Sequence, residues 1–71
     1  MLFRSEETEQ AGVLNEMAYI LWQSNSTQSI EYAEKALLLS EKHKLVHEKY
    51  KALNNLALMA TARYIKYFLA V

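Results

Sequence analysis

Apolar and polar positions follow one another along this chain with the period of an α-helix. Leu14, Met17, Ala18 and Leu21 fall at i, i+3, i+4 and i+7, which draws one apolar stripe down one face. The spacing predicts a first helix that starts at Ser5 and runs to about Ser24. The Ser5 hydroxyl can take a free first-turn amide, and Glu6 and Glu7 lie where the helix dipole favours negative charge. Gly12 is the weak spot, because glycine loses more backbone freedom on ordering than any other residue. A break is expected over Ser24-Asn25-Ser26-Thr27, where Asn25 tolerates the left-handed position after a helix and Ser26 or Thr27 can cap the next one.

A second helix, from about Thr27 to Lys42, puts Ile30, Ala33, Ala36 and Leu37 at core spacing and Glu31 with Lys35 outward as an i,i+4 pair. The small Ala33 and Ala36 let two helix axes approach closely, so this face is expected against the first helix. Around Glu41 to Leu45 the charge density rises and the stripe loses phase, which reads as a connection between hairpins. No Gly or Pro sits there, so the second helix can also run into the third as one rod, an arrangement that favours domain swapping. In the compact reading a third helix, about Val46 to Ala62, buries Tyr50, Leu53, Leu56, Ala57 and Ala60. The segment from Tyr64 to Val71 then begins a fourth, shorter helix.

Two of these stretches nearly repeat one another. Leu14-Asn15-Glu16-Met17-Ala18-Tyr19-Ile20 and Leu53-Asn54-Asn55-Leu56-Ala57-Leu58-Met59 each put a large apolar residue first and fourth, Asn second and Ala fifth, at a separation of 39 residues. A period in this range marks a supersecondary unit that covers its apolar face by stacking on copies of itself. Function is then expected on a stacked surface rather than in a catalytic pocket.

Composition narrows the alternatives. A chain of 71 residues holds one small domain, and a chain of that size removes only roughly 60% of its unfolded surface from water. With no cysteine there is neither a disulfide framework nor a thiolate metal site, so contacts with another chain are expected to help. Eight basic and eight acidic residues balance, and without a basic run neither nucleic acid nor an anionic membrane is an expected partner. No apolar stretch approaches the roughly 20 residues of a spanning helix, and the start is too short for a signal peptide, so a cytoplasmic protein is expected. Absence of Pro and the single Gly, with abundant Ala, Leu, Glu and Lys, point to an all-α fold.

The candidate chemistry is thin. His43 and His47, one helical turn apart and flanked by Glu41 and Glu48, can in principle share a metal. A third His and the His-Glu-x-x-His order are both missing, and exposed histidines in a charged connection ordinarily have no role; no metal site or cofactor is assigned. No nucleophile-base pair or glycine-rich phosphate loop appears, and Glu6, Glu7, Glu9 and Glu16 are ordinary solvated charges. An enzyme is not expected.

The repeat also resembles a known family. Leu14-Asn15-Glu16-Met17-Ala18 with Ser29-Ile30-Glu31-Tyr32-Ala33-Glu34-Lys35-Ala36-Leu37 resembles a tetratricopeptide repeat, and Leu53-Asn54-Asn55-Leu56-Ala57-Leu58 looks like the first helix of the next copy. The family pattern maps onto Leu14, Met17, Ala18, Ser29, Ala33 and Ala36, then onto Leu53, Leu56 and Ala57. The long pitch is most similar to repeats preceding bacterial sensor and regulator domains. The resemblance implies a single domain over residues 1–71, a fragment of an α-α superhelix. Antiparallel hairpins make about one and a half repeats, the first over about 11–44 and a partial second over about 46–71. The turn at Ser24 to Gln28 lacks the usual Gly, Ser29 stands where Ala is usual, and no Pro closes the first repeat.

The resemblance further implies a concave groove for a peptide or protein segment, lined by Asn15, Tyr19, Trp22 and Gln23 from the first repeat and Lys51, Asn54, Asn55 and Leu58 from the second. A side-chain amide both donates and accepts, so Asn15 and Asn54 can clamp a ligand's backbone; the plainer alternative is that they serve packing alone. The expected function is a non-catalytic protein-interaction module in a signalling or regulatory protein. The alternative is a self-assembling helical piece. In that reading the uncapped Tyr64, Ile65, Phe68 and Leu69 meet another copy, making a homo-oligomer.

Overall fold

The computed structural model describes residues 2–70, with side chains described for residues 6–66, 68 and 69. Three helices follow in order, α1 (Leu2–Leu21), α2 (Ser26–Lys42) and α3 (Val46–Ala70), and no strand occurs among the described residues. The molecule is a slab of 52 × 18 × 12 Å. None of its described helices is long and apolar enough to cross a membrane.

Helix α1 begins at Leu2, not at Ser5, so Ser5 lies inside the helix and is not its cap. Nothing in the preceding residues breaks a helix, and Glu6 and Glu7 consequently lie beyond the first turn. The first turnaround also differs from expectation. Leu21 ends α1 and accepts the Asn25 amide at 2.8 Å. Asn25, with φ −149°, takes no left-handed position; it is the N-cap of α2, its Oδ1 accepting from the Gln28 backbone amide at 3.2 Å. Its Nδ2 donates to Gln28 Oε1 at 3.2 Å, so an Asn-x-x-Gln pair closes the end where Ser26 or Thr27 was the expected cap.

The second joint is a turn, which settles the choice between a hairpin and a rod. Lys44 adopts a left-handed φ of 56°. The Leu45 amide donates to Ser40 O at 2.7 Å and the Lys44 amide to Glu41 O at 3.4 Å, the paired bonds of a Schellman motif. Residues 46–70 then form one helix. The expected end at Ala62 and the separate fourth helix are absent because Thr61-Ala62-Arg63 contains no Gly or Pro to break the helix.

Cross-helix contacts fix the directions. Ser29 Oγ donates to Ala18 O, and Lys42 with His43 reaches Glu7, so α2 runs antiparallel to α1. Asn15 reaches Glu48 and Asn55 at one level while Ala18 and Met59 share the next, so α1 and α3 run parallel. The core is built of small residues: Ala11, Ala18, Ala33, Ala36 and Ala52 are fully buried with Met59, and Trp22, Ile30, Tyr32 and Leu56 pack over Ala18, Ala33 and Met59. Alanine faces let the axes approach closely, at the cost of little apolar area per contact.

The expected inner face of α3 is largely wrong. Leu56 packs inward as expected, whereas Tyr50 is 63% and Leu53 42% exposed, and Ala57 and Ala60 also face solvent. Ala52, Asn55 and Met59 point inward instead. Both neighbours of α3 lie on one side of it; Tyr50 and Leu53 stand on the other, with Ala57 and Ala60 at the margins, beside Trp22 and Ile30 respectively. Met17, expected in the core of α1, is an exposed edge residue, while Leu14 and Leu21 are half-buried. The repeated segments therefore differ in surroundings: Ala18 is sealed under α2, and its counterpart Ala57 is open.

Candidate functional site

A groove runs between α1 and α3. Its first part, about 480 Å³, is lined by Asn15, Glu16, Tyr19 and Ile20 from α1 and Lys51, Asn54, Asn55 and Leu58 from α3. A second part, about 500 Å³, is lined by Trp22, Asn54, Ala57, Leu58, Thr61, Ala62 and Ile65. Asn54 and Leu58 belong to both parts, so the groove continues along α3 from Lys51 to Ile65. Of the residues expected to line it, Gln23 alone lies in neither part; it is exposed beyond the end of α1.

The asparagines divide into two roles. Asn15, 3% exposed, donates from Nδ2 to Glu48 O at 2.9 Å and to Glu48 Oε1 at 3.0 Å. Asn55, 6% exposed, donates to Asn15 O at 3.0 Å and to Asn15 Oδ1 at 3.4 Å. Both amide hydrogens of Asn15 are thus used inside the protein, and the expected clamp on a ligand backbone does not form there. The network instead sets the spacing of the groove walls. Asn54 is exposed and makes no side-chain hydrogen bond among the described residues, which leaves its amide for a ligand.

Trp22 is half-buried over Ala18, Ala33 and Met59 and shows an edge to the second part of the groove. It serves core and surface together. Glu16, Ile20, Thr61 and Ile65 were not singled out from the sequence as groove residues. Glu16, Ile20 and Thr61 lie within one helical turn of a lining residue that was, and Ile65 lies two turns beyond Leu58, so the helical period points to them. The groove offers an apolar floor of Ile20, Leu58 and Ile65, an amide at Asn54, and opposite charges at Glu16 and Lys51 on its two walls. Such a lining suits a peptide with apolar anchors.

The histidines stand apart. His43 caps the C-terminal end of α2 and His47 lies in the first turn of α3, so the turn at Lys44 separates the two rings that one helix would have aligned. His43 Nε2 contacts Glu7 Oε1, and Lys42 Nζ lies 3.3 Å from the same oxygen. The His43 hydrogen bond, and then that of Lys42, holds the Glu7 carboxyl below the ordinary carboxylate value by favouring its charged form. Among the described residues no group of three or more His, Cys, Asp or Glu is arranged to hold a metal ion. The oligomer residues expected at the C-terminal end divide between faces: Ile65 lines the groove, whereas Tyr64 and Phe68 meet as tilted rings with centroids 6.3 Å apart on another side of the helix. Leu69, one turn beyond Ile65, is exposed.

Compared with known proteins, the chain matches no family model, and neither a curated protein nor a solved structure shows significant similarity to it.

Proposed function

We propose that this protein is a non-catalytic interaction module that holds a segment of another protein in the groove between α1 and α3. The observation that carries the reading is the Asn15-Glu48-Asn55 network. It braces two parallel walls at their base and leaves Tyr19, Ile20, Asn54 and Leu58 turned outward along them. A braced, open, mainly apolar groove costs its ligand little reorganisation of the protein. The α1-α2 hairpin followed by a parallel α3 is the arrangement that one and a half tetratricopeptide-like repeats would take, and the 39-residue sequence repeat supports the same assignment. A regulatory or signalling context and a cytoplasmic location belong to this proposal; the lack of cysteine fits a reducing compartment.

The test is selection from a random peptide display library on the intact chain, followed by fluorescence anisotropy with the selected peptides. Leu58→Asp puts a charge on the groove floor and is expected to weaken binding about tenfold or more, with helicity by circular dichroism unchanged because Leu58 is outside the core. Asn54→Ala is expected to weaken it less. Peptides that bind the Leu58→Asp protein as tightly as the parent, or a library that yields none, would overturn the reading.

A further inference from the structure

We infer that the outer face of α3 is a self-association surface, on which α3 of a second copy packs antiparallel. This face adjoins the groove at Ala57, which borders both, and its pairing does not depend on the groove's function. Val46, Tyr50, Leu53, Ala57, Ala60 and Tyr64 succeed one another at intervals of four and three residues, the seam spacing of paired helices, and all of them face solvent. The repeat explains why the seam exists. Leu53 and Ala57 are the counterparts of Leu14 and Ala18, which α2 covers in the first half of the chain. The second half presents the same stripe uncovered.

Two observations select a second copy as the cover. First, the spacing reads the same in both directions. About a two-fold axis level with Asn55, Leu53 of one copy faces Ala57 of the other, Tyr50 faces Ala60, and Val46 faces Tyr64. Every layer then sets a large side chain against a smaller one, which keeps the interaxial distance even. Ala60 also lines a notch of about 410 Å³ with Ile30, Leu56, Met59, Arg63 and Tyr64, and that notch lies opposite Tyr50 of the other copy.

Second, the area is sufficient. Val46 is 64%, Tyr50 63%, Leu53 42% and Tyr64 71% exposed. Covering them in both copies removes on the order of 1,000 Å², the lower bound for specific association. A dimer with a dissociation constant of roughly micromolar order is expected.

Sedimentation equilibrium of the full chain from about 1 µM to about 1 mM, a range that brackets that constant, is the test. The parent is expected to pass from monomer to dimer, and Ala57→Glu to raise the dissociation constant about a hundredfold or more while circular dichroism stays that of the parent. Leu58→Asp, in the groove, is expected to leave the dimer intact. Because the parent has no cysteine, a mixture of Leu53→Cys and Ala57→Cys proteins reports the register: oxidation is expected to give the mixed covalent dimer. Ala57→Cys alone stays uncoupled, since its two copies are too far apart for a disulfide. A strict monomer at every concentration would mean that the stripe meets a helix from another protein or none, and overturns the inference. A dimer indifferent to Ala57→Glu, or one that oxidises readily through Ala57→Cys alone, overturns it equally.

Discussion

Glu7 joins the two ends of the first hairpin through one carboxylate, which meets His43 and Lys42 across the gap between α1 and α2. Because these partners favour the charged form, the folded protein holds Glu7 below the ordinary carboxylate value of 4.5. A carboxyl whose folded pKa is depressed contributes stability that is fully present above its unfolded pKa and is lost as pH falls through the folded one. The hairpin is therefore expected to weaken on acidification below about pH 4.5. Urea midpoints measured from neutral pH downward should fall in the parent and less steeply in Glu7→Gln; equal slopes would show that the cluster is solvated rather than coupled. Asn15 acts at the same scale by a different route. Its amide donates across the helices to the backbone carbonyl and the half-buried carboxylate of Glu48 on α3, a tie that a side chain lacking donors would not make.

At the scale of the helices, the joint at Lys44 is where α2 and α3 are kept from becoming one. Holding a side chain in the left-handed region costs roughly 1 kcal/mol that glycine does not incur, and the exposed Lys44 side chain makes no hydrogen bond or ion pair among the described residues to offset it. Lys44→Gly is thus expected to stabilise the fold by roughly 0.5–1 kcal/mol, read as a higher melting temperature. A lower one would mean that loss of the lysine side chain, or the added freedom of the unfolded chain, outweighs the relief of strain. The helices themselves were legible from the apolar period and the scarcity of Gly and Pro, whereas Tyr19, Lys51, Asn54 and Leu58, which line the groove, were singled out only through the tetratricopeptide resemblance. The rotation of α3 was not legible. That helix has one apolar stripe through Ala52, Leu56 and Met59 and another through Tyr50, Leu53 and Ala57, and periodicity alone cannot say which has neighbours. The 39-residue repeat pointed to the second, since it matches the stripe that α2 covers on α1, but no further helix follows α3 within the described residues to cover it. The roles of Asn25 and Asn55 were hidden for a related reason: a cap and a cross-helix amide depend on where the next helix lies, not on the local pattern.

For the molecule as a whole, a thin core and an uncovered seam are two sides of one economy. The buried apolar residues are mostly alanine, each of which removes little apolar surface from water, and a chain of 71 residues has a small margin of stability in any case. The large apolar side chains that would ordinarily fill a core, Tyr50, Leu53 and Tyr64 among them, stand on the outer face of α3 instead. If a second copy covers that face, folding and association are linked, and stability grows with the logarithm of protein concentration. A free partner at a hundred times the dissociation constant adds about 2.7 kcal/mol, and each kcal/mol moves the melting temperature of a domain this size by about 4–8 °C. Thermal unfolding followed from micromolar to millimolar concentration is therefore expected to shift upward by roughly ten degrees or more in the parent. The same series in Ala57→Glu should melt at one temperature throughout, close to that of the parent at its most dilute, since the substituted side chain faces solvent in the monomer. A parent curve that ignores concentration would mean that the alanine core stands alone and that the outer face of α3 adds nothing to stability.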